Sequence, residues 1–211
     1  TIFGCMSLKS HTVQKNIENY YVKEVDKRYK EGIDNFVYLL KLDYAIDGCF
    51  DIDNPDCLMM PSSSASGLVF SSDEKSVFVI TAAHFCSSGG NKDAKSEIIA
   101  FIKDRERKLS IVKKNDEEDI CLLMGVKYEN ETFHQIKIAE KDPPLGSDVY
   151  LVGAPNGIGG PGFRLVFTGK FGGCDEKACM TTMPATFGSS GGGIYNKKGE
   201  LVTIVMAVTN N

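Results

Sequence analysis

The chain has 211 residues, with 24 Lys plus Arg against 28 Asp plus Glu and a formal charge of −4. Its 42% hydrophobic and 25% charged content is that of a folded globular protein rather than a disordered one, and its longest apolar run, residues 201–208, falls far short of a membrane span. The acidic excess argues against nucleic acid as a partner, which needs a basic face, and 21 glycines point to many turns and short strands.

In chain order, residue 1 is Thr, so the sequence is expected to be processed or a fragment. The opening Ile2-Phe3-Gly4-Cys5 resembles the end of a bacterial lipoprotein signal, which makes Cys5 a candidate lipid anchor, with an ordinary buried or free Cys as the alternative. Residues 12–31 predict an amphipathic helix: Val13, Ile17, Tyr20, Tyr21, Val25 and Tyr29 fall near one face, and Gly32 is placed to stop it. Beyond Gly32 short apolar runs alternate with turn clusters, at 36–42, 67–70, 77–81, 98–102, 120–124, 149–152, 165–167 and 201–208. Many short strands with almost no helix between them predict a mainly β sandwich or barrel.

The seven cysteines fall into groups. Cys49 and Cys57 bracket an Asp-rich loop, and Cys174 and Cys179 bracket CDEKAC; both spacings suit small local disulfides. Cys86 and Cys121 either pair or sit buried as small hydrophobes. Two local disulfides imply an oxidising compartment, hence an exported protein, periplasmic or extracellular. No pair has zinc-knuckle spacing, and Asp47, Asp51, Asp53 and Asp56 do not follow a calcium-loop pattern, so no metal is expected. Asn130-Glu131-Thr132 is a glycosylation sequon only in a eukaryotic secretory setting.

Three segments carry chemistry. In VFVITAAH a hydrophobic strand runs into two alanines that leave room beside the imidazole of His84. In DICLL, Asp119 stands at the mouth of an apolar strand, with Asp116 as the rival acid. In FGSSGGG, glycines on both sides of Ser189 and Ser190 let the backbone turn tightly and aim consecutive N–H groups at one point, as an oxyanion site requires. A phosphate loop is disfavoured, because neither a Lys-Ser/Thr pair nor a helical pattern follows.

ITAAH, DICLL and GSSGGG, in the order His, Asp, Ser and at intervals of 35 and 71 residues, resemble the trypsin-like serine proteases of the chymotrypsin fold over roughly residues 60–208. GSDVYLVGAPNGIGGPGFRLVFTG, residues 146–169, is similar to the HtrA branch, although no PDZ-like module follows. The resemblance implies a two-barrel Greek-key fold with the predicted N-terminal helix. Its parts would be an extension at 1–32, a first barrel at 33–135 carrying His and Asp, and a second at 136–211 carrying Ser. It implies peptide hydrolysis without a cofactor, with Ser190 as nucleophile, His84 as base, Asp119 orienting it, and an oxyanion hole drawn from Gly188, Ser189 and Ser190. Ser189 is the rival nucleophile, set aside because the family's reactive Ser immediately precedes the Gly pair.

The family also implies that an extended polypeptide pairs with the strand carrying Val205, Met206 and Ala207. Pro184 and Ala185 fall where the specificity pocket would be, which with Met206 suggests a small or apolar P1 residue. Ser189 stands where digestive members carry the Asp of their activation switch, so no such switch is expected. Only 21 residues follow Ser190, so the second barrel is either completed by other segments, such as the N-terminal helix, or lacks its natural end. The rival readings are a catalytically inactive protease-fold binding module and a disulfide-stabilised structural component.

Overall fold

The structure is a computed structural model that describes residues 26–44, 59–87, 96–159, 162–176 and 178–206. Cys5, Cys49, Cys57, Ala207, the Asp-rich loop and most of the predicted N-terminal helix lie outside the described residues.

Alternation of side chains creates the first sheet. Strand β3 (Ser76–Ala82) points Val77 and Val79 inward, and β4 (Ser96–Ile102) does the same with Ile98, Ala100 and Ile102. With β1 (Phe36–Tyr44), β2 (Met59–Ser72), β5 (Arg105–Asn115) and β6 (Ile120–Val126) they close an antiparallel barrel in the order β1-β2-β3-β6-β5-β4. The step from β3 to β6 is the Greek-key exchange. It makes neighbours of the chain ends after β3 and before β6, where Ala82 pairs with Ile120.

The second sheet is barrel-like and has five strands among the described residues: β7 (Asp148–Gly153), β8 (Leu165–Cys174), β9 (Cys179–Thr181), β10 (Gly193–Asn196) and β11 (Leu201–Ile204), in the order β11-β10-β7-β8-β9. The free edge of β11 is met by the inter-barrel segment: Leu201 N–H donates to Lys137 O, and Ala139 N–H to Leu201 O. That segment therefore supplies part of what a sixth strand would. Strand β7 reads as a continuous apolar run because both its faces are covered. Val149 and Leu151 join Phe171 and Ile194 inside the second sheet. Tyr150 and Val152 join Phe36, Tyr38, Leu68 and Tyr195 at the seam between the sheets.

Three elements differ from the sequence expectation. Residues 27–29 form a turn, fixed where Asp26 Oδ1 accepts the N–H of Arg28, and among the described residues a short helix, α1, covers Lys30–Asn35. Gly32 lies inside α1 instead of ending it: a Cβ there would stand 2.7 Å from Val152 and 2.9 Å from Tyr150. Its role is close approach to the second sheet. Strand β2 begins well before its apolar stretch: the serines at 62–64 carry no hydrophobic pattern, yet Ser63 and Ser64 pair with Lys41 and Leu40 of β1, and Ser62 sits at a bulge in the ladder. Strand β5 is masked by charge, since only Arg107 and Leu109 of RERKLSIVKKN turn inward.

Candidate active site

Strand β3 ends at Ala82, and the chain turns at once into α2 (Ala83–Cys86), which carries His84. Ala82 and Ala83 are fully buried, so small side chains are what let this corner pack. Across the ladder the chain enters β6 through Asp119, held at φ +49°, a left-handed conformation that Asp tolerates better than most residues. The turn aims both ends of Asp119 at α2: its carbonyl accepts Ala83 N–H at 3.0 Å and its Oδ1 accepts His84 N–H at 2.8 Å.

The same carboxylate meets the imidazole, with Nδ1 at 2.8 Å from Oδ2 and 3.1 Å from Oδ1. A carboxylate can only accept, so this contact keeps the proton of a neutral imidazole on Nδ1 and leaves Nε2 as its basic nitrogen. Asp116 is instead paired with Lys114 at 3.0 Å on the surface. A disulfide between Cys86 and Cys121 fastens the corner. These cysteines stand two residues after His84 and Asp119 and share their separation of 35, a coincidence already visible in the sequence.

The serine loop comes from the second sheet. Gly188 and Gly191 adopt φ of +87° and +82°. A Cβ at Gly188 would lie 2.4 Å from Ala154 O, and one at Gly191 would lie 2.3 Å from Ser66 O and Thr81 Oγ1, so glycine is required at both. Within the loop Ser189 N–H donates to Thr186 O and Gly192 N–H to Ser189 O. Ser189 is completely buried, its Oγ accepting Thr186 N–H at 3.3 Å. Among the described residues the N–H groups of Gly188 and Ser190 take no internal partner, whereas that of Ser189 is spent on Thr186.

His84 and Ser190 line one cleft of about 480 Å³, together with Ser63, Ser64, Asn156 and Phe187. A larger groove, about 980 Å³, runs between residues 135–148 and the turn after β10, away from these groups. Of the residues expected to bind substrate, Pro184 is exposed and Ala185 packs against the second-sheet core. Neither lines the cleft, nor does Met206. Val205 is buried, and both its main-chain groups are engaged, accepting Gly191 N–H and donating to Gly192 O. Its N–H is therefore spent within the second sheet and not available to a peptide. Cys174 and Cys179 form the expected disulfide, bridging the β8–β9 hairpin.

The trypsin-like peptidase domain matches residues 65–204, well over half of the chain, a span that contains the His corner, the Asp turn and the serine loop. The chain belongs to the trypsin-like peptidase family. No curated protein matches it. Within this peptidase domain two residues that sequence reasoning missed touch the serine loop directly. Ser66 sits in a Ser-rich run that reads as loop, and Asn156 in a turn cluster; neither belongs to a pattern that a single sequence reveals.

Proposed function

We propose that this peptidase-family protein is a serine endopeptidase acting through an acyl-enzyme. Ser190 Oγ attacks the scissile carbonyl carbon as His84 Nε2 takes its proton, and the carbonyl oxygen becomes an oxyanion met by the N–H groups of Gly188 and Ser190. Collapse of that adduct breaks the C–N bond, and the proton on His84 passes to the leaving amine. Water, giving its proton to His84, then opens the ester and restores Ser190. Asp119 holds the tautomer and stabilises the imidazolium that forms in each half-reaction.

The observation that carries this reading is the His84–Asp119 contact on the wall of the cleft that Ser190 also lines. The substrate is an extended polypeptide whose scissile bond enters the cleft lined by His84 and Ser190. The small or apolar P1 preference expected from Pro184, Ala185 and Met206 loses its basis, since none of the three lines that cleft. The similarity of residues 146–169 to the HtrA branch supports a relationship to that group. Two disulfides support an exported protein that works in an oxidising compartment.

The decisive experiment is labelling of the folded protein with a fluorophosphonate, with Ser190→Ala as control and mass mapping of the adduct. Label at Ser190 that disappears in the control is the expected result. A folded sample that takes no label would replace the enzyme with a binding module of the same fold.

A further inference from the structure

Ser66 belongs to β2 of the first barrel, yet its polar groups are spent largely on the second-sheet loop that carries Ser190. Its N–H donates to Ser190 O at 2.9 Å. Its hydroxyl donates to Gly188 O at 2.7 Å and accepts Ala154 N–H at 2.9 Å. Its carbonyl accepts the hydroxyl of Thr81 at 2.7 Å, which ties it back to β3. The residue is completely buried, so water cannot replace these bonds.

The bonds matter because of what they hold. Gly188 is a glycine at φ +87°, with no side chain to fix its own dihedrals, so neighbours must orient the two peptide planes that flank it. The Phe187–Gly188 plane is anchored where Asn156 N–H donates to Phe187 O at 2.6 Å; in a trans peptide this directs Gly188 N–H the opposite way. The Gly188–Ser189 plane is anchored by the Ser66 hydroxyl. Asn156 follows Ala154, whose N–H that hydroxyl also receives, so one oxygen ties the serine loop to the turn bearing the other anchor. A hydroxyl donates once while accepting, the combination this junction uses.

We propose that Ser66 is a positioning residue: its hydroxyl holds the 186–190 loop in the one arrangement that leaves the N–H groups of Gly188 and Ser190 free for an oxyanion. The role rests on the reading of Ser190 as nucleophile, and it makes the serine site dependent on the first barrel as well as the second. Ser66 itself touches no reacting atom. Its loss acts through the peptide planes around Gly188, so it lowers the chemical step and leaves reagent binding alone.

The test compares Ser66→Ala and Ser66→Cys with the unaltered full chain. Fluorophosphonate labelling at Ser190 is resolved into its maximal rate and its half-saturating concentration, and hydrogen exchange is followed in peptides covering 184–192. Ser66→Ala should lower the maximal rate by about 10- to 100-fold with the half-saturating concentration unchanged. Exchange in 184–192 should quicken while β4 and β5 stay protected. Ser66→Cys, which keeps the shape but has only a weak S–H donor, should fall between, and it decides the matter alone if the alanine variant does not fold. A folded variant with either the rate or the loop exchange unchanged overturns the proposal. No label on the unaltered chain would instead remove the nucleophile reading on which it rests.

Discussion

Asp119 does three things at once: it spends its carbonyl on Ala83, one oxygen on the His84 N–H, and both oxygens on the imidazole Nδ1. The backbone bonds place the imidazole, and the side-chain bonds select its tautomer. Replacing the carboxylate by an amide separates the two effects, because an amide keeps the size but can offer Nδ1 an N–H and stabilise the wrong tautomer. Asp119→Asn should therefore leave the fold unchanged by circular dichroism and lower turnover by about 10³- to 10⁴-fold. Activity close to that of the unaltered chain would show that Asp119 does not orient the base. The glycines of the serine loop act at the same scale: Gly191 is confined by Ser66 O and Thr81 Oγ1, and a side chain there would displace the loop from the first barrel.

Among the elements, the short helix α2 is the one whose position matters most, and four residues cannot hold themselves in place. Packing supplies part of the restraint, since Ala83, Phe85 and Cys86 all enter the first-barrel core. The rest is covalent, through Cys86–Cys121, which joins α2 to the start of β6 and so ties the His corner to the Asp turn. Closing a loop of 35 residues limits the unfolded chain, worth about 3–4 kcal/mol in the chain-entropy account. The double variant Cys86→Ala/Cys121→Ala should lose about that much stability in denaturant unfolding. Free thiols at both positions in non-reducing peptide mapping would remove the expectation. The Cys174–Cys179 bridge spans five positions of one hairpin and constrains only that hairpin.

For the molecule as a whole, the candidate site exists only where two sheets meet, so the path of the chain between them has to be held. That path leaves β6 at Val126, where it meets the inward-turned, buried side chain of Arg107 from β5. Its guanidinium donates to Val126 O, to Ile102 O and to both carboxylate oxygens of Glu131, with the Arg107 and Glu131 side chains only 1% and 5% exposed. Burial alone pushes the Glu131 carboxyl up; the hydrogen bonds from Arg107 and from Tyr128 N–H, with the nearby guanidinium charge, outweigh it and bring it below its ordinary value. A carboxyl lowered in the folded state adds stability that is complete above its unfolded value, about 4.3, and is lost as pH falls through the folded one. The melting temperature should therefore drop as pH is taken below about 4. Glu131→Gln should be less stable at neutral pH by about 3 kcal/mol, because it strands a buried cation, and should show a shallower acid dependence. An acid dependence identical in both proteins would mean that this pair does not anchor the exit from the barrel.

The mainly β architecture was legible in the sequence because it rests on local facts. Alternation in β3 and β4 and turn residues at their ends need no distant partner to be read. His84, Asp119 and Ser190 stood out only together, because ITAAH, DICLL and GSSGGG in that order and spacing resemble trypsin-like proteases; Asp119 by itself carries no signal. What stayed hidden depends on what packs against it. Gly32 reads as a helix stop until Val152 and Tyr150 are seen to press on it. The serines of β2 read as loop until β1 pairs with them, and charge on the solvent face conceals β5. Ser66 is the extreme case, since its bonds run to Gly188 and Ser190, more than a hundred residues away in sequence. Short-range pattern marked most of the segments that become strands and, with the family resemblance, the candidate residues His84, Asp119 and Ser190. Only the tertiary structure decided how the two sheets bring them to one cleft, because that meeting depends on contacts between residues with no sequence relation to one another.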